Sequence, residues 1–284
     1  MPTSHVDPQY SAHLRAIAQK VAQSVHDPLV KAFRSSMDLS YKADRRDIVT
    51  VHDKAAEVMI VDQLLSLVPE SQVVGEEGGV QGEGELRWFV DPIDGTANFA
   101  CGLPSWCVSI GAVMGDEIVA GAIWDPMGGN MYSADFSGAY LGDTLLKTQA
   151  TPDQAYATLL ASYPSARDFK ADGKEVALDR FGRLTESFSG VRRNGSAALG
   201  LAHVAVGWAD RAIGAGVNPW DVAAAILILE KSGGTYRPIN WDAEKRSRPS
   251  FEAPGYAAIG AGGDYPMLLT IAEEIENNRS CVQR

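Results

Sequence analysis

Residues 88–99, Trp-Phe-Val-Asp-Pro-Ile-Asp-Gly-Thr-Ala-Asn-Phe, place the tightest constraint on how this chain folds. Their apolar start predicts a strand that ends at Asp91, because Pro92 has no N–H to donate to a sheet ladder. Gly95 then permits a sharp turn, since glycine tolerates positive φ. We therefore expect Asp91 and Asp94 on one tight bend. Two carboxylates so close repel each other unless a cation neutralises them, and Mg²⁺ prefers such oxygen ligands.

Two further segments place carboxylates beside apolar elements. Glu76 and Glu77 follow an apolar strand within Val-Val-Gly-Glu-Glu-Gly-Gly (73–79), although paired glutamates are usually solvated loop charges. Asp221 precedes the apolar run 222–229, where it could cap a helix and still direct its carboxylate towards a metal or a phosphate. An Asp-x-x-Asp turn alone is a weak indication, because aspartate is common in turns. The three segments together indicate a metal site.

Composition narrows the class of protein. With 284 residues, 45% of them hydrophobic, the chain suits one large domain or two closely packed halves. A net charge of −11 lacks the Lys/Arg surplus needed to follow a nucleic-acid backbone. Three cysteines without repeated spacing argue against a disulfide framework. Residues 1–10 contain no apolar run of signal-peptide length, and no stretch of the chain reaches transmembrane length. We expect a cytoplasmic protein that binds neither nucleic acid nor a membrane.

Hydrophobic periodicity predicts helices mixed with strands, which favours a layered α/β or α+β fold. The predicted helices span 10–33 (with a kink or a new turn at Pro28), 53–67, 196–206, 221–231 and 267–275. The predicted strands span 72–75, 86–90, 108–114, 117–124, 131–133, 138–141, 158–162, 209–213 and 256–260. The polar segment Ser40–Arg46 is predicted to be a loop or a hairpin tip.

The acidic segments, taken together, resemble the inositol monophosphatase family. That family carries Gly-Glu-Glu, then Asp-Pro-Ile-Asp-Gly-Thr-x-Asn-Phe, then Trp-Asp before an apolar helix and a Gly-Gly. This chain matches in the same order at residues 75–77, 91–99, 220–221 and 233–234. The resemblance covers nearly the whole chain and implies alternating layers of helices and sheets, usually in a homodimer.

The resemblance also implies how the chain is divided. Residues 1–284 would form a single domain with two halves. An N-terminal half, about 8–148, would carry most of the metal ligands. A C-terminal half, about 155–284, would carry the substrate pocket and Asp221.

The family pattern implies two or three Mg²⁺ ions per site. Glu76, Asp91 and the backbone carbonyl of Ile93 would hold the tighter ion. Asp91, Asp94 and Asp221 would hold a second, and Glu76 would reach a third through water.

Catalytic and substrate-binding roles follow from the same resemblance. Thr96 would orient the attacking water with Asp53 as its hydrogen-bond partner, so the candidate catalytic residues are Glu76, Thr96 and Asp53. The candidate substrate-binding residues are Asp94, Gly95, Thr96, Gly195, Ser196, Ala197 and Asp221. Lys42, in a loop that is mobile in the family, is either a lysine that approaches the metals or a solvated surface charge.

The implied activity is Mg²⁺-dependent hydrolysis of a small phosphate monoester, such as an inositol monophosphate or a sugar phosphate. Inositol-specific members carry a glutamate seven residues before the motif aspartate, and here that position is Gly214, which puts myo-inositol phosphate in doubt. Histidinol phosphate, fructose 1,6-bisphosphate and 3′-phosphoadenosine phosphates are alternative substrates. Arg192 or Arg193 would contact a second anionic group or form a salt bridge. A non-catalytic metal- or partner-binding regulatory protein is the alternative from another class.

Overall fold

The computed structural model describes residues 6–35, 39–41, 48–242 and 248–282. Its α-helices are α1 (Pro8–Ser24), α2 (His26–Ala32), α3 (Val51–Leu67), α4 (Thr96–Cys101), α5 (Ala166–Asp172), α6 (Lys174–Ser187), α7 (Ala197–Val206), α8 (Pro219–Lys231) and α9 (Pro266–Val282). Single 3₁₀ turns lie at Gln154–Tyr156 and Ser250–Glu252. None of the helices in these described ranges is both long and apolar enough to cross a membrane.

The described strands form two large sheets and one two-stranded sheet. They are β1 (Leu39–Tyr41), β2 (Ile48–Thr50), β3 (Ser71–Gly75), β4 (Gly79–Gly82), β5 (Leu86–Asp94), β6 (Cys107–Met114), β7 (Glu117–Asp125), β8 (Asn130–Asp135), β9 (Gly138–Leu141), β10 (Thr144–Leu145), β11 (Thr158–Ala161), β12 (Gly190–Arg192), β13 (Arg211–Ala215), β14 (Thr235–Ile239) and β15 (Gly255–Ile259). The eight-stranded sheet has the order β10-β9-β8-β7-β6-β5-β3-β4, and the five-stranded sheet has the order β12-β11-β13-β15-β14. Strands β1 and β2 pair with each other in a separate two-stranded sheet.

The helices and sheets alternate in layers. Helices α1 and α3 cover one face of the eight-stranded sheet, where Leu14, Ile60 and Trp88 share one buried cluster. Helices α7 and α8 lie between the two sheets, and α6 and α9 cover the outer face of the five-stranded sheet. This arrangement confirms the predicted layered α/β architecture.

Helix α8 packs unusually close to the eight-stranded sheet. A Cβ atom at Gly111 would lie 2.8 Å from the backbone nitrogen of Ala224, and one at Gly121 would lie 2.8 Å from its Cα. Glycine in β6 and β7 therefore lets the helix backbone touch the sheet. This contact fixes the start of α8, and with it Asp221, beside the end of β5.

The helix predicted over 10–33 and the strand predicted to end at Asp91 differ from the observed elements. The helix predicted over 10–33 is broken at Val25, which caps α1, and Pro28 lies in the first turn of α2, where proline is tolerated. The prediction that the strand ends at Asp91 is wrong. Strand β5 continues to Asp94, because its pairing with β6 shifts register between these two residues and leaves Pro92 in an irregularity that needs no donor.

Candidate metal centre

Three aspartates from two elements converge in one place. The carboxylates of Asp91, Asp94 and Asp221 offer ligand oxygens that all lie within 4.8 Å of one another. Asp91 is 3% exposed and Asp94 is 7% exposed, while Asp221 is partly buried. The tertiary fold thus brings together residues that are 127 positions apart (221 minus 94).

These aspartates line a cavity of about 460 Å³. The lining also includes five other residues predicted from the sequence to act in the site, namely Glu76, Ile93, Gly95, Thr96 and Gly195. Of the described residues that line this cavity, only Arg167 carries a positive charge. The cavity is therefore strongly acidic unless cations occupy it.

The local backbone sets the direction of Asp91. Its Oδ1 accepts a hydrogen bond of 2.9 Å from the N–H of Ile93, across the irregular end of β5. Gly95 then adopts a φ of 94°, in the left-handed region that favours glycine, and caps α4. The predicted sharp turn at Gly95 is confirmed.

Asp94 is held by the other half of the chain. Its Oδ2 accepts hydrogen bonds from the hydroxyl of Ser196, at 2.5 Å, and from the N–H of Ala198, at 2.7 Å. The thiol of Cys107 lies 3.8 Å from the same oxygen. Because Ser196 caps α7, the carboxylate sits at the positive end of that helix.

Asp221 is held by its own helix. Its Oδ2 accepts a hydrogen bond of 2.8 Å from the N–H of Asn218, the residue that caps α8. Pro219 opens the helix, as proline does when its missing N–H has no partner to lose. The carboxylate therefore lies at the helix start while reaching Asp91 and Asp94.

The electrostatics of the three aspartates favour a cation. Burial raises the pKa of Asp91 well above its ordinary value, and repulsion from Glu76, Asp94 and Asp221 raises it further. Burial also raises the pKa of Asp94, although the hydrogen bonds from Ser196 and Ala198 act in the opposite direction. The pKa of Asp221 is raised well above its ordinary value by burial and by Asp94. A divalent cation would relieve both effects, and an all-oxygen donor set suits Mg²⁺.

Glu76 lies on the rim of this group. It lines the cavity but does not belong to the three residues whose oxygens lie within 4.8 Å. Its loop is held by Glu57, whose carboxylate accepts hydrogen bonds from the N–H groups of Glu77 (2.8 Å) and Gly78 (2.5 Å). A Cβ atom at Gly75 would lie 2.5 Å from Cδ of Glu57, so glycine is needed there.

Sequence reasoning missed Glu57. It is 2% exposed on α3 and lies four residues after Asp53, which is fully buried. That spacing places both acids on the same helix face. The signal that could have identified Glu57 was an acidic residue at a position where the predicted helix is otherwise apolar.

Thr96 and Asp53 form a hydrogen-bonded pair. The Thr96 hydroxyl lies 3.0 Å from Oδ1 of Asp53 and 3.0 Å from the carbonyl oxygen of Ile93. The other oxygen of Asp53 accepts hydrogen bonds from the N–H and the hydroxyl of Thr50. Burial raises the pKa of Asp53, and the Thr50 hydrogen bonds act against that rise. Asp53 thus links the start of α3 to the cavity.

The residues predicted to bind substrate divide into two groups. Gly95, Thr96 and Gly195 line the cavity, whereas Ser196 directs its hydroxyl to Asp94. Ala197 follows as the first residue of α7 and is not among the lining residues that the structure describes.

The basic candidates lie elsewhere. The Arg193 guanidinium donates to the carbonyl oxygens of Pro164 and Ser162, at 2.8 and 3.1 Å. Arg192 is exposed, and Lys42 lies outside the described residues. Arg167, at the start of α5, lines the cavity without any motif that marked it in the sequence.

Comparison with known proteins identifies the family. A sequence profile described as "Inositol monophosphatase family" matches residues 10–274. The chain is 35% identical over 195 residues to the fructose-1,6-bisphosphatase/inositol-1-monophosphatase of Aquifex aeolicus, covering 67% of this chain and 72% of that protein. It is 33% identical over 220 residues to the Nus factor SuhB of Xylella fastidiosa, covering 77% and 79%. The solved inositol monophosphatase of Anabaena (Nostoc) sp. PCC 7120 superposes with a TM-score of 0.74 at 28% identity, covering 96% of each chain.

Proposed function

Because the chain belongs to the inositol monophosphatase family, we propose that it catalyses Mg²⁺-dependent hydrolysis of a small phosphate monoester. The observation that carries this proposal is the convergence of Asp91, Asp94 and Asp221 within 4.8 Å at one wall of an acidic cavity. Such a cavity repels a phosphate unless cations reverse the local field. With a volume of about 460 Å³, it has room for a phosphate and a small alcohol.

The same residues are suited to hold the metal. Asp91, Asp94 and Asp221 would bind Mg²⁺ together with Glu76 and the carbonyl of Ile93, in two or three ions per site. Bound Mg²⁺ supplies neutralisation of the phosphoryl oxygens and acidifies water. The remaining chemistry falls to the side chains of this chain.

Thr96 and Glu76 would have different roles in activating the attacking water. Thr96 donates its hydroxyl proton towards Asp53, which leaves the threonine oxygen able to accept a hydrogen bond from the attacking water. Glu76 would take the proton from that water, since it lines the same cavity as Thr96. The N–H groups of Gly95 and Thr96, at the start of α4, would hold the phosphate.

Membership of the family does not determine which alcohol group the preferred phosphate monoester carries. A Cβ atom at Gly214 would lie 2.6 Å from the ring of Tyr256, so the space for a side chain there is filled by an aromatic ring. A glutamate that accepts hydrogen bonds from ring hydroxyls has no place at this position. We therefore propose that the preferred substrate is a monoester other than myo-inositol phosphate. The Aquifex relative is named for two different substrates, which agrees with a family whose members differ in the alcohol.

A regulatory role is the second candidate, because several relatives are named Nus factor SuhB. A purely non-catalytic binder would have no need to keep a metal site. Here Asp91, Asp94, Asp221 and Glu76 are all present, and Thr96 is paired with Asp53. These features favour catalysis.

Phosphate release from a panel of monoesters tests the proposal. The panel contains myo-inositol 1-phosphate, fructose 1,6-bisphosphate, histidinol phosphate, 3′-phosphoadenosine 5′-phosphate and glycerol 2-phosphate, each with Mg²⁺ or with EDTA. We expect release from at least one compound with Mg²⁺ and none with EDTA. Asp94→Asn should lose activity at limiting Mg²⁺, whereas Asp116→Asn, on an exposed hairpin turn, should retain it. No release from any compound would favour the regulatory reading.

A further inference from the structure

A second cavity adjoins the metal centre, with a volume of about 280 Å³. We propose that it binds a flat apolar ring at the alcohol end of the substrate, so that the preferred monoesters carry an aryl or heteroaryl group. The inference rests on the proposed phosphatase function and specifies its substrate class.

The two cavities adjoin each other. Arg167 and Gly216 line both of them. A Cβ atom built at Gly216 would have no atom within 4 Å, so the boundary between the cavities is open on that side. One ligand can therefore place its phosphate among the aspartates and its alcohol end in the second cavity.

An indole ring forms a preorganised wall of the second cavity. Cζ3 of Trp241 lies 3.0 Å from where a Cβ atom of Gly255 would stand, so the ring is seated directly on the strand backbone. The Arg279 guanidinium lies 4.4 Å from the centre of that ring. Arg279 is itself held by Asp168 and Asp172, each at 2.6 Å. The ring therefore needs no rearrangement to receive a ligand, which lowers the entropic cost of binding.

Asp168 and Arg279, two charged residues that line this cavity, form a salt bridge with each other. Asp168 is the acidic residue among the described residues that line the second cavity, and its carboxylate is bonded to Arg279. A hydroxyl-rich alcohol would gain little from such a carboxylate, since its acceptor oxygens are engaged. The remaining walls include the methyl groups of Ala171 and Ala215. The chemistry of the cavity thus favours an apolar ring packed against the part of the Trp241 ring that lines the cavity and that Arg279 leaves uncovered.

The size of the cavity agrees with this occupant. An apolar protein cavity of roughly 150 Å³ can hold one benzene ring. The second cavity, at about 280 Å³, has room for one ring or for two fused rings. Arg167 lines both cavities and so places a cation at their junction.

Titration calorimetry with phosphonates tests the proposal without requiring turnover. The ligands are phenylalkylphosphonates with two, three or four methylene groups and the matching alkylphosphonates without the ring, all in the presence of Mg²⁺. The blocking variant is Ala171→Leu, because Ala171 is exposed on α5 and leucine is a good helix former. The matched control is Ala155→Leu, an exposed alanine that lines neither cavity. Trp241→Leu is a second variant, checked for folding by thermal unfolding.

We expect at least one phenylalkylphosphonate to bind the wild-type protein about tenfold or more tightly than its alkyl match. This advantage should fall below about threefold in Ala171→Leu and in Trp241→Leu and should persist in Ala155→Leu. An equal affinity for ring and alkyl compounds, an advantage that survives both cavity variants, or no binding of any phosphonate would overturn the proposal. Failure of the proposed phosphatase function would look different. The phenylalkylphosphonates would still bind more tightly than their alkyl matches, but no monoester, with or without an aryl group, would release phosphate.

Discussion

The Ser196 hydroxyl donates a hydrogen bond of 2.5 Å to Oδ2 of Asp94 and also accepts one from the N–H of Leu199. One side chain therefore caps α7 and fixes a candidate metal ligand on a strand in the other half of the chain. Ser196 is 4% exposed, so this bond is shielded from water. Asp94 thus depends on the start of α7 for its position.

Ser196→Ala should weaken metal binding and lower stability together. A buried hydrogen bond to a charged group contributes about 1.5–3 kcal/mol, and loss of a helix cap costs about 1 kcal/mol. We expect a lower Tm and a rise of about tenfold in the Mg²⁺ concentration needed for half-maximal activity. Ser232→Ala removes a buried hydroxyl that donates to Leu229, away from the cavity. It should lower the Tm without changing the Mg²⁺ requirement, and an equal change in both variants would contradict the role of Ser196.

Asp91→Asn should stabilise the metal-free protein while abolishing its response to Mg²⁺. Burial and the neighbouring acids raise the pKa of Asp91, so the native state of the metal-free protein disfavours its charge. Asparagine removes that charge and can still accept the hydrogen bond from Ile93. In EDTA we expect a higher Tm, by about 2–4 °C for each kcal/mol in a chain of this size. Added Mg²⁺ should raise the Tm of the wild type and leave that of the variant unchanged.

The raised pKa of Asp91 sets the direction in which the stability of the metal-free protein changes with pH. The native state holds the proton of this carboxyl to a higher pH than the unfolded state, whose pKa is about 3.9. The free energy of unfolding therefore falls as pH rises through that window. In EDTA the Tm difference between Asp91→Asn and the wild type should widen from pH 4 upwards. A difference that shrinks with rising pH would show that Asp91 is not destabilising when charged.

Glu57→Gln should lower activity through the loop that carries Glu76. Both carboxylate oxygens of Glu57 accept backbone N–H bonds, whereas a glutamine would present its NH₂ group to one of them. We expect a fall in kcat of about tenfold and a higher Mg²⁺ requirement, measured by phosphate release. Glu83→Gln, an exposed glutamate beyond β4, is the matched control and should behave as the wild type.

Thr96→Ala should impair the chemical step more than substrate binding. It removes the hydroxyl that bonds Asp53 and faces the cavity. Loss of such a positioned group lowers kcat by about 10²–10⁴-fold, with KM changed much less. Thr96→Ser keeps the hydroxyl and should retain most of the activity. If alanine and serine gave the same kcat, the hydroxyl would have no part in activating water.

Local patterns predicted several elements that are rich in apolar residues. Strand β9 was placed at its observed bounds, and α3 and α8 were placed within two residues of theirs at each end. Helix α6 was missed because Arg180 interrupts its buried face. Arg180 is 4% exposed and is paired with Asp172 and Glu274 from elsewhere in the chain. A buried ion pair of this kind cannot be recognised before the partners are known.

Residue types and local spacing were enough to predict candidate oxygen ligands for Mg²⁺, the turn at Gly95 and the family. The geometry of the site came from the fold. Folding brings Ser196 into a hydrogen bond with Asp94, brings Glu57 into hydrogen bonds with the loop that carries Glu76, and forms a second cavity lined by Arg167 and Trp241. Residue type and short-range periodicity are local properties, so they carry no information on these contacts. The packing of α8 on Gly111 and Gly121, and every contact between the halves, depends on how distant segments fit together.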